Sequence, residues 1–174
     1  MRNPTISRAA AWVPWCAALA ALACAPRPPV QTPASLEDVL ITLERGSCFG
    51  TCPVYRLTVD GAGKVRFEGT AHVTVVGLDS AVISQSEVQR LLVEFDRAGF
   101  AQLADQYTAG QPSCPSYAPD SPTAITSLTQ SGTTKRIEHD YGCADVPRAL
   151  TALERLIDDV VGSDRWTGRS GTGG

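Results

Sequence analysis

Tyr55-Arg-Leu-Thr-Val-Asp-Gly-Ala-Gly-Lys-Val-Arg-Phe-Glu68 is the stretch that decides the fold. Tyr55, Leu57 and Val59 alternate with Arg56 and Thr58, the pattern stops at Asp60-Gly61-Ala62-Gly63, and Val65 and Phe67 resume it with Arg66 and Glu68 opposite. Successive side chains of a strand point to opposite faces, so each run has one apolar side, and two such runs around a glycine-containing turn predict a hairpin. On its N-terminal side Val39, Ile41 and Leu43 alternate with Leu40 and Thr42 and predict another strand. On the other side residues 73–76 are expected to add a fourth.

The period then changes. Val88, Leu91, Leu92, Phe95 and Ala98 lie on one stripe of a helix, Ser84-Gln-Ser-Glu87 ahead of them fits a capping box, and Gly99 is a stop. Residues 124–128 and 134–141 predict a second hairpin around Ser131-Gly132. Pro147 opens a second helix with Leu150, Leu153, Ile157 and Val160 inward, and Gly162 ends it. The order strands, helix, strands, helix predicts an α+β domain: an antiparallel sheet of about six strands with two amphipathic helices packed on it. Trp166, just past the second helix, is expected to fold back and cap the core. The two halves share the hairpin-then-helix order, but no residue-level repeat links them.

The 174 residues are 43% hydrophobic and 19% charged, near globular averages, so neither a wholly disordered chain nor a fibrous repeat is supported. The net charge of −3 deepens when Arg2 and Arg8 leave with a signal, which argues against a nucleic-acid partner. Residues 1–23 have the shape of a secretory signal: Arg2 and Arg8, an apolar run over residues 9–23, then small residues. That run is short of the ~20 residues of a membrane-spanning helix and contains Pro14. It ends in Leu19-Ala-Ala-Leu-Ala-Cys24, which resembles a bacterial lipobox with Leu22 one place nearer the cysteine than preferred. Cys24 is therefore the candidate lipidation site, with an ordinary cleaved signal as the alternative. Residues 24–37 read as a tether, because four prolines in the eleven residues 25–35 favour an extended spacer. Residues 38–167 then form the single domain, and residues 168–174 a frayed tail. Ala25 is not the aspartate that retains many lipoproteins at an inner membrane, so the expected location is the outer membrane, facing the periplasm.

Of six cysteines, Cys16 falls in the signal and Cys24 is the candidate anchor, leaving Cys48, Cys52, Cys114 and Cys143 in the domain. In an exported protein four cysteines most simply make two disulfides, with three connectivities open. We expect Cys48 with Cys52, and Cys114 with Cys143. Closing the longer segment is worth about 3.5 kcal/mol in the chain-entropy model, against about 2 kcal/mol for a five-residue ring.

Cys48-Phe49-Gly50-Thr51-Cys52-Pro53-Val54-Tyr55 is the most specific motif in the chain. It resembles the signature of a bacterial family, domain of unknown function 6438. The likeness runs from about Val39 to Trp166, through Asp60-Gly61, Gly77, the helix at Ser84 and the closing helix. It implies the domain limits and an envelope location, and it brings no activity, substrate or catalytic residue.

The chemistry must therefore come from the residues. A close cysteine pair suits thiol redox work when a helix N-terminus lowers a thiol pKa, but the residues after Pro53 read as strand and the spacing is not that of thioredoxins. The same Cys-x-x-x-Cys-Pro pattern is similar to the copper segment of cytochrome-oxidase assembly chaperones, where His72 or His139 would have to complete the site. Glu138-His139-Asp140 suggests a tuned base, yet on a strand both carboxylates face away from His139, which joins Ile137 and Tyr141 and reads as a packed residue. Ser47, Ser113 and Ser116 lack a nucleophile-elbow context. The sequence thus predicts no catalytic residue, metal or cofactor, and a non-enzymatic envelope lipoprotein that binds an unidentified envelope protein or ligand, or has a structural role. The candidate recognition tip is Phe49 with Tyr55, Phe49 as the anchor and Tyr55 packing inward behind it. The rival reading is a thiol-redox or copper-handling protein acting through Cys48 and Cys52.

Overall fold

A computed structural model describes residues 35–168. The signal, Cys24, most of the tether and most of the tail lie outside the described residues. The elements run β1 (Leu40–Arg45), β2 (Val54–Asp60), β3 (Lys64–Ala71), β4 (Gly77–Val82), α1 (Gln85–Arg97), a 3-10 turn (Phe100–Gln102), β5 (Gln106–Tyr107), β6 (Thr123–Gln130), β7 (Thr133–Asp140), α2 (Arg148–Val161) and α3 (Asp164–Thr167). One sheet orders them β4-β3-β2-β1-β6-β7-β5. Every neighbouring pair is antiparallel except β5 and β7. The sheet is therefore mixed and seven-stranded, against the antiparallel sheet of about six strands expected, and the four-residue α3 is a third helix beyond the two expected. The added strand is a two-residue segment, too short for any alternation to announce it.

Alternation places the core. Val39, Ile41, Leu43, Leu57, Val59, Val65, Phe67 and Ile137 are buried on one face of the sheet, where the stripes Val88, Leu91, Phe95 of α1 and Leu150, Leu153, Ile157, Val161 of α2 meet them. Burying each such side chain contributes about 1.5–3 kcal/mol, so these two stripes rather than helix propensity hold the helices. α1 starts as the sequence indicates: Ser84 accepts the Glu87 N–H and donates its own N–H to the Glu87 carboxylate. The turn between β6 and β7 has both Ser131 and Gly132 at positive φ, the twist a two-residue hairpin needs.

The fourth strand is Gly77–Val82 rather than residues 73–76. The amides of Thr74 and Val75 instead donate to the Trp166 carbonyl at 2.8 and 3.0 Å. Residues 73–76 are thus held by α3, and the ladder to β3 begins only at Gly77. Trp166 does fold back: its ring stacks on Phe67 with centroids 4.7 Å apart, and its Nε1–H donates to Asp79 at 2.8 Å.

Candidate functional site

Because β1 runs antiparallel to β2 and β6, and β6 to β7, the end of β1, the start of β2, the start of β6 and the end of β7 share one end of the sheet. The loops over residues 46–53, 108–122 and 141–147 gather there. Both disulfides lie in these loops: Cys48 with Cys52, Cα atoms 5.7 Å apart, and Cys114 with Cys143, 5.2 Å apart. Phe49 N–H donates to the Asp120 carbonyl, Gly46 N–H to that of Thr123, and Ala118 N–H to that of Gly142. The loops are therefore stitched to one another by backbone bonds as well as by sulfur.

The Cys48–Cys52 ring turns at Gly50, whose φ of 143° is one that L side chains rarely adopt. At its tip Phe49 is 87% exposed, the largest value among the exposed large hydrophobic side chains of the described residues. Tyr55, grouped with Phe49 at the candidate tip, is buried and contributes no surface to it. Its ring packs 5.3 Å from Phe67, as the inward phase of β2 requires.

Below the tip lies a polar network that local reading of the sequence missed. Tyr55 donates its hydroxyl to Asp158 Oδ1 at 2.5 Å. Arg45 donates from Nε and Nη2 to Asp158 Oδ2 at 3.1 and 2.8 Å, and from Nη1 to the Tyr141 hydroxyl at 2.7 Å. Tyr141 in turn donates to Glu154 Oε2 at 2.6 Å, and His139 Nδ1 stands 3.1 Å from both oxygens of Glu154. The His139 ring stacks on Tyr141, and Ser163 donates to Asp158 at 2.9 Å. Strands β1, β2 and β7 are thereby clamped to α2.

The signal was phase. Arg45 continues the inward alternation Val39, Ile41, Leu43, and Glu154 sits between Leu153 and Ile157 on the buried stripe of α2. A charged residue at an inward phase needs a buried partner, and each of these supplies one to the other side. His139 behaves as its strand position predicts, packed beside Ile137; its carboxylate partner comes from α2, and Glu138 and Asp140 on its own strand are not that partner.

The two phenols and the guanidinium of this network hold their protons tightly. Burial pushes the Tyr141 phenol up to about 12, with Glu154 adding to the shift and Arg45 opposing it. Burial and then the Asp158 carboxylate raise Tyr55 as well. Burial alone would lower Arg45, but Asp158, Tyr141, Tyr55 and Glu154 outweigh it and raise the guanidinium. Both phenols are therefore neutral donors near pH 7 and Arg45 is a permanent cation. This arrangement holds elements together and presents no activated nucleophile.

The remaining candidates do not gather into a ligand group among the described residues. Cys52 is followed by Pro53 and strand β2, and among the described residues no helix starts at Cys48 or Cys52. His72 follows β3 at a φ of 53°, at the same end of the sheet as the start of β2, and His139 is engaged by Glu154. Among the described residues no group of three or more His, Cys, Asp and Glu side chains is placed to hold a metal. No described helix is long and apolar enough to cross a membrane.

The family model described as Domain of unknown function (DUF6438) matches residues 39–161, from the start of the sheet to the end of α2. No curated protein matches the chain.

Proposed function

Since the chain belongs to this family of domains of unknown function, whose description assigns no reaction, we propose from the geometry that it is a non-enzymatic recognition module of the bacterial envelope. One observation carries the reading: Phe49 stands 87% exposed on a disulfide-closed ring, while the strand that follows the ring is tied to α2 through Tyr55 and Asp158. An aromatic side chain held rigidly in water loses little conformational entropy on docking and brings a large apolar area, which is what a binding anchor needs. In this reading residues 1–23 direct export, Cys24 carries the lipid, and residues 24–37 lift the domain from the outer membrane into the periplasm, where another envelope component meets the tip.

Two experiments test the two halves of the proposal. Cys24→Ser should abolish lipid labelling and move the protein to the soluble fraction; unchanged membrane partition refutes the anchor. A photo-crosslinker placed at Phe49 in intact cells should give a discrete adduct that is absent when the crosslinker is moved to exposed Val93 on α1. Equal adducts at both positions, or none at Phe49, refute recognition by the tip.

A further inference from the structure

The two edges of the sheet are closed to different degrees. At β4, the bond from Ile83 N–H to the Gly63 carbonyl fixes the phase of the ladder, so Ala81 and Asp79 bond to β3 while Leu78, Ser80 and Val82 direct their backbone groups outward. That edge is guarded at its centre, because Asp79 Oδ1 accepts the Ser80 N–H at 2.8 Å.

At β7 the phase is set by Tyr141 N–H on the Pro122 carbonyl and Glu138 N–H on the Asp105 carbonyl. Lys135 and Ile137 therefore bond to β6, and Thr134, Arg136 and Glu138 face away from it. β5 pairs only with Glu138 and His139, so no strand of the described residues lies beside Thr134 and Arg136 on that side. Lys135, the kind of residue that blocks an edge, is tied down: its Nζ donates to the Leu103 carbonyl and to Asp105. Between Thr134, Arg136 and the wall formed by Gln106, Gln111 and Ser113 runs an open groove of about 1000 Å³.

We propose that this groove receives an extended peptide segment of another protein, added as a short strand to β7 along residues 133–136. Outward N–H and C=O groups at Thr134 and Arg136, two residues apart, match the backbone repeat of a strand. The charges at the groove are paired, Lys135 with Asp105 and Arg136 with Glu138, and its lining is polar. Recognition therefore rests on the main chain of the peptide and selects no charged side chain. The groove borders Ser113, next to Cys114, but neither Phe49 nor any residue of the Cys48–Cys52 ring lines it, and it stands without the proposal for Phe49.

The test is a titration of the isotopically labelled full chain with acetyl-Thr-Val-Thr-Val-Thr-amide and with its twin N-methylated at alternate residues. In the free protein the amides of Thr134 and Arg136 should exchange with solvent about tenfold or more faster than those of Lys135 and Ile137. The parent peptide should shift Thr134 and Arg136 saturably, and the twin should not. Shifts at Leu78, Ser80 and Val82 instead, equal shifts with the twin, no shift at all, or equal exchange of the four amides overturn the proposal. Protection of Thr134 and Arg136 that grows with protein concentration alone overturns it in favour of a second copy of this chain.

Discussion

Tyr55 and Asp158, 103 residues apart, meet at 2.5 Å, the hydroxyl of the last residue of the Cys-Phe-Gly-Thr-Cys-Pro-Val-Tyr motif donating to a carboxylate near the end of α2. The same carboxylate takes two bonds from Arg45 on β1. Asp158 is thus the point at which the strand after the disulfide ring, the neighbouring strand and the closing helix are fastened together. The motif ends in tyrosine because its ring fills an inward position of β2 and its hydroxyl reaches the helix.

Removing that hydroxyl tests the fastening. Tyr55→Phe keeps the packing on Phe67 and loses a hydrogen bond to a charged acceptor, so it should destabilise by about 1.5–3 kcal/mol in denaturant unfolding. Asp158→Ala leaves Arg45 short of its main partner and should cost more, about 3 kcal/mol or above. Costs that add in the double variant would show that the two residues are not coupled.

The disulfides should differ in worth. Cys114–Cys143 closes a loop with a sequence separation of 29 and Cys48–Cys52 one of 4. Replacing the first pair by Ala should cost about 1–2 kcal/mol more than replacing the second, if strain in the two is similar. Equal losses would show that loop entropy is not what they contribute.

Thr126 is a position where the fold can be improved. It faces inward on β6, fully buried, and its hydroxyl has no hydrogen-bond partner among the described residues. Valine has the same shape without the unsatisfied group, so Thr126→Val should raise stability by about 1 kcal/mol. A loss of stability would mean that the hydroxyl is bonded in solution.

The phenols set an alkaline limit. Tyr141 titrates at about 12 in the folded chain against its ordinary 10.0, and Tyr55 is raised too. A raised tyrosine binds its proton more tightly folded than unfolded, so its contribution is complete below about pH 10 and is lost as pH climbs from there through the folded value. Stability should therefore fall from about pH 10 upward, and Tyr141→Phe should flatten that fall, read from unfolding free energies across pH. An unchanged slope in the variant would remove Tyr141 from the account.

Much of this was legible. The hairpin at Asp60-Gly61-Ala62-Gly63, the capping box at Ser84 and the turn at Ser131-Gly132 follow from local chemistry that packing did not override, and the structure pairs the four cysteines as expected among the three connectivities that the sequence leaves open. β4 was misplaced because its alternation is inverted: Leu78 and Val82 face water while Asp79 turns toward Trp166. The network around Asp158 escaped because its members come from β1, β2, β7 and α2, and Arg45 and Glu154 read as ordinary surface charges unless their phase is followed past the last apolar residue.

The central claim is that the Cys48–Cys52 ring is a fixed frame for Phe49 and does no chemistry of its own. Its reduction potential, measured in the folded full chain by equilibration with glutathione or dithiothreitol, is the most direct test. The account predicts a value below about −300 mV, where structural disulfides lie, and a value between roughly −270 and −120 mV, the range of dithiol oxidoreductases, would contradict it.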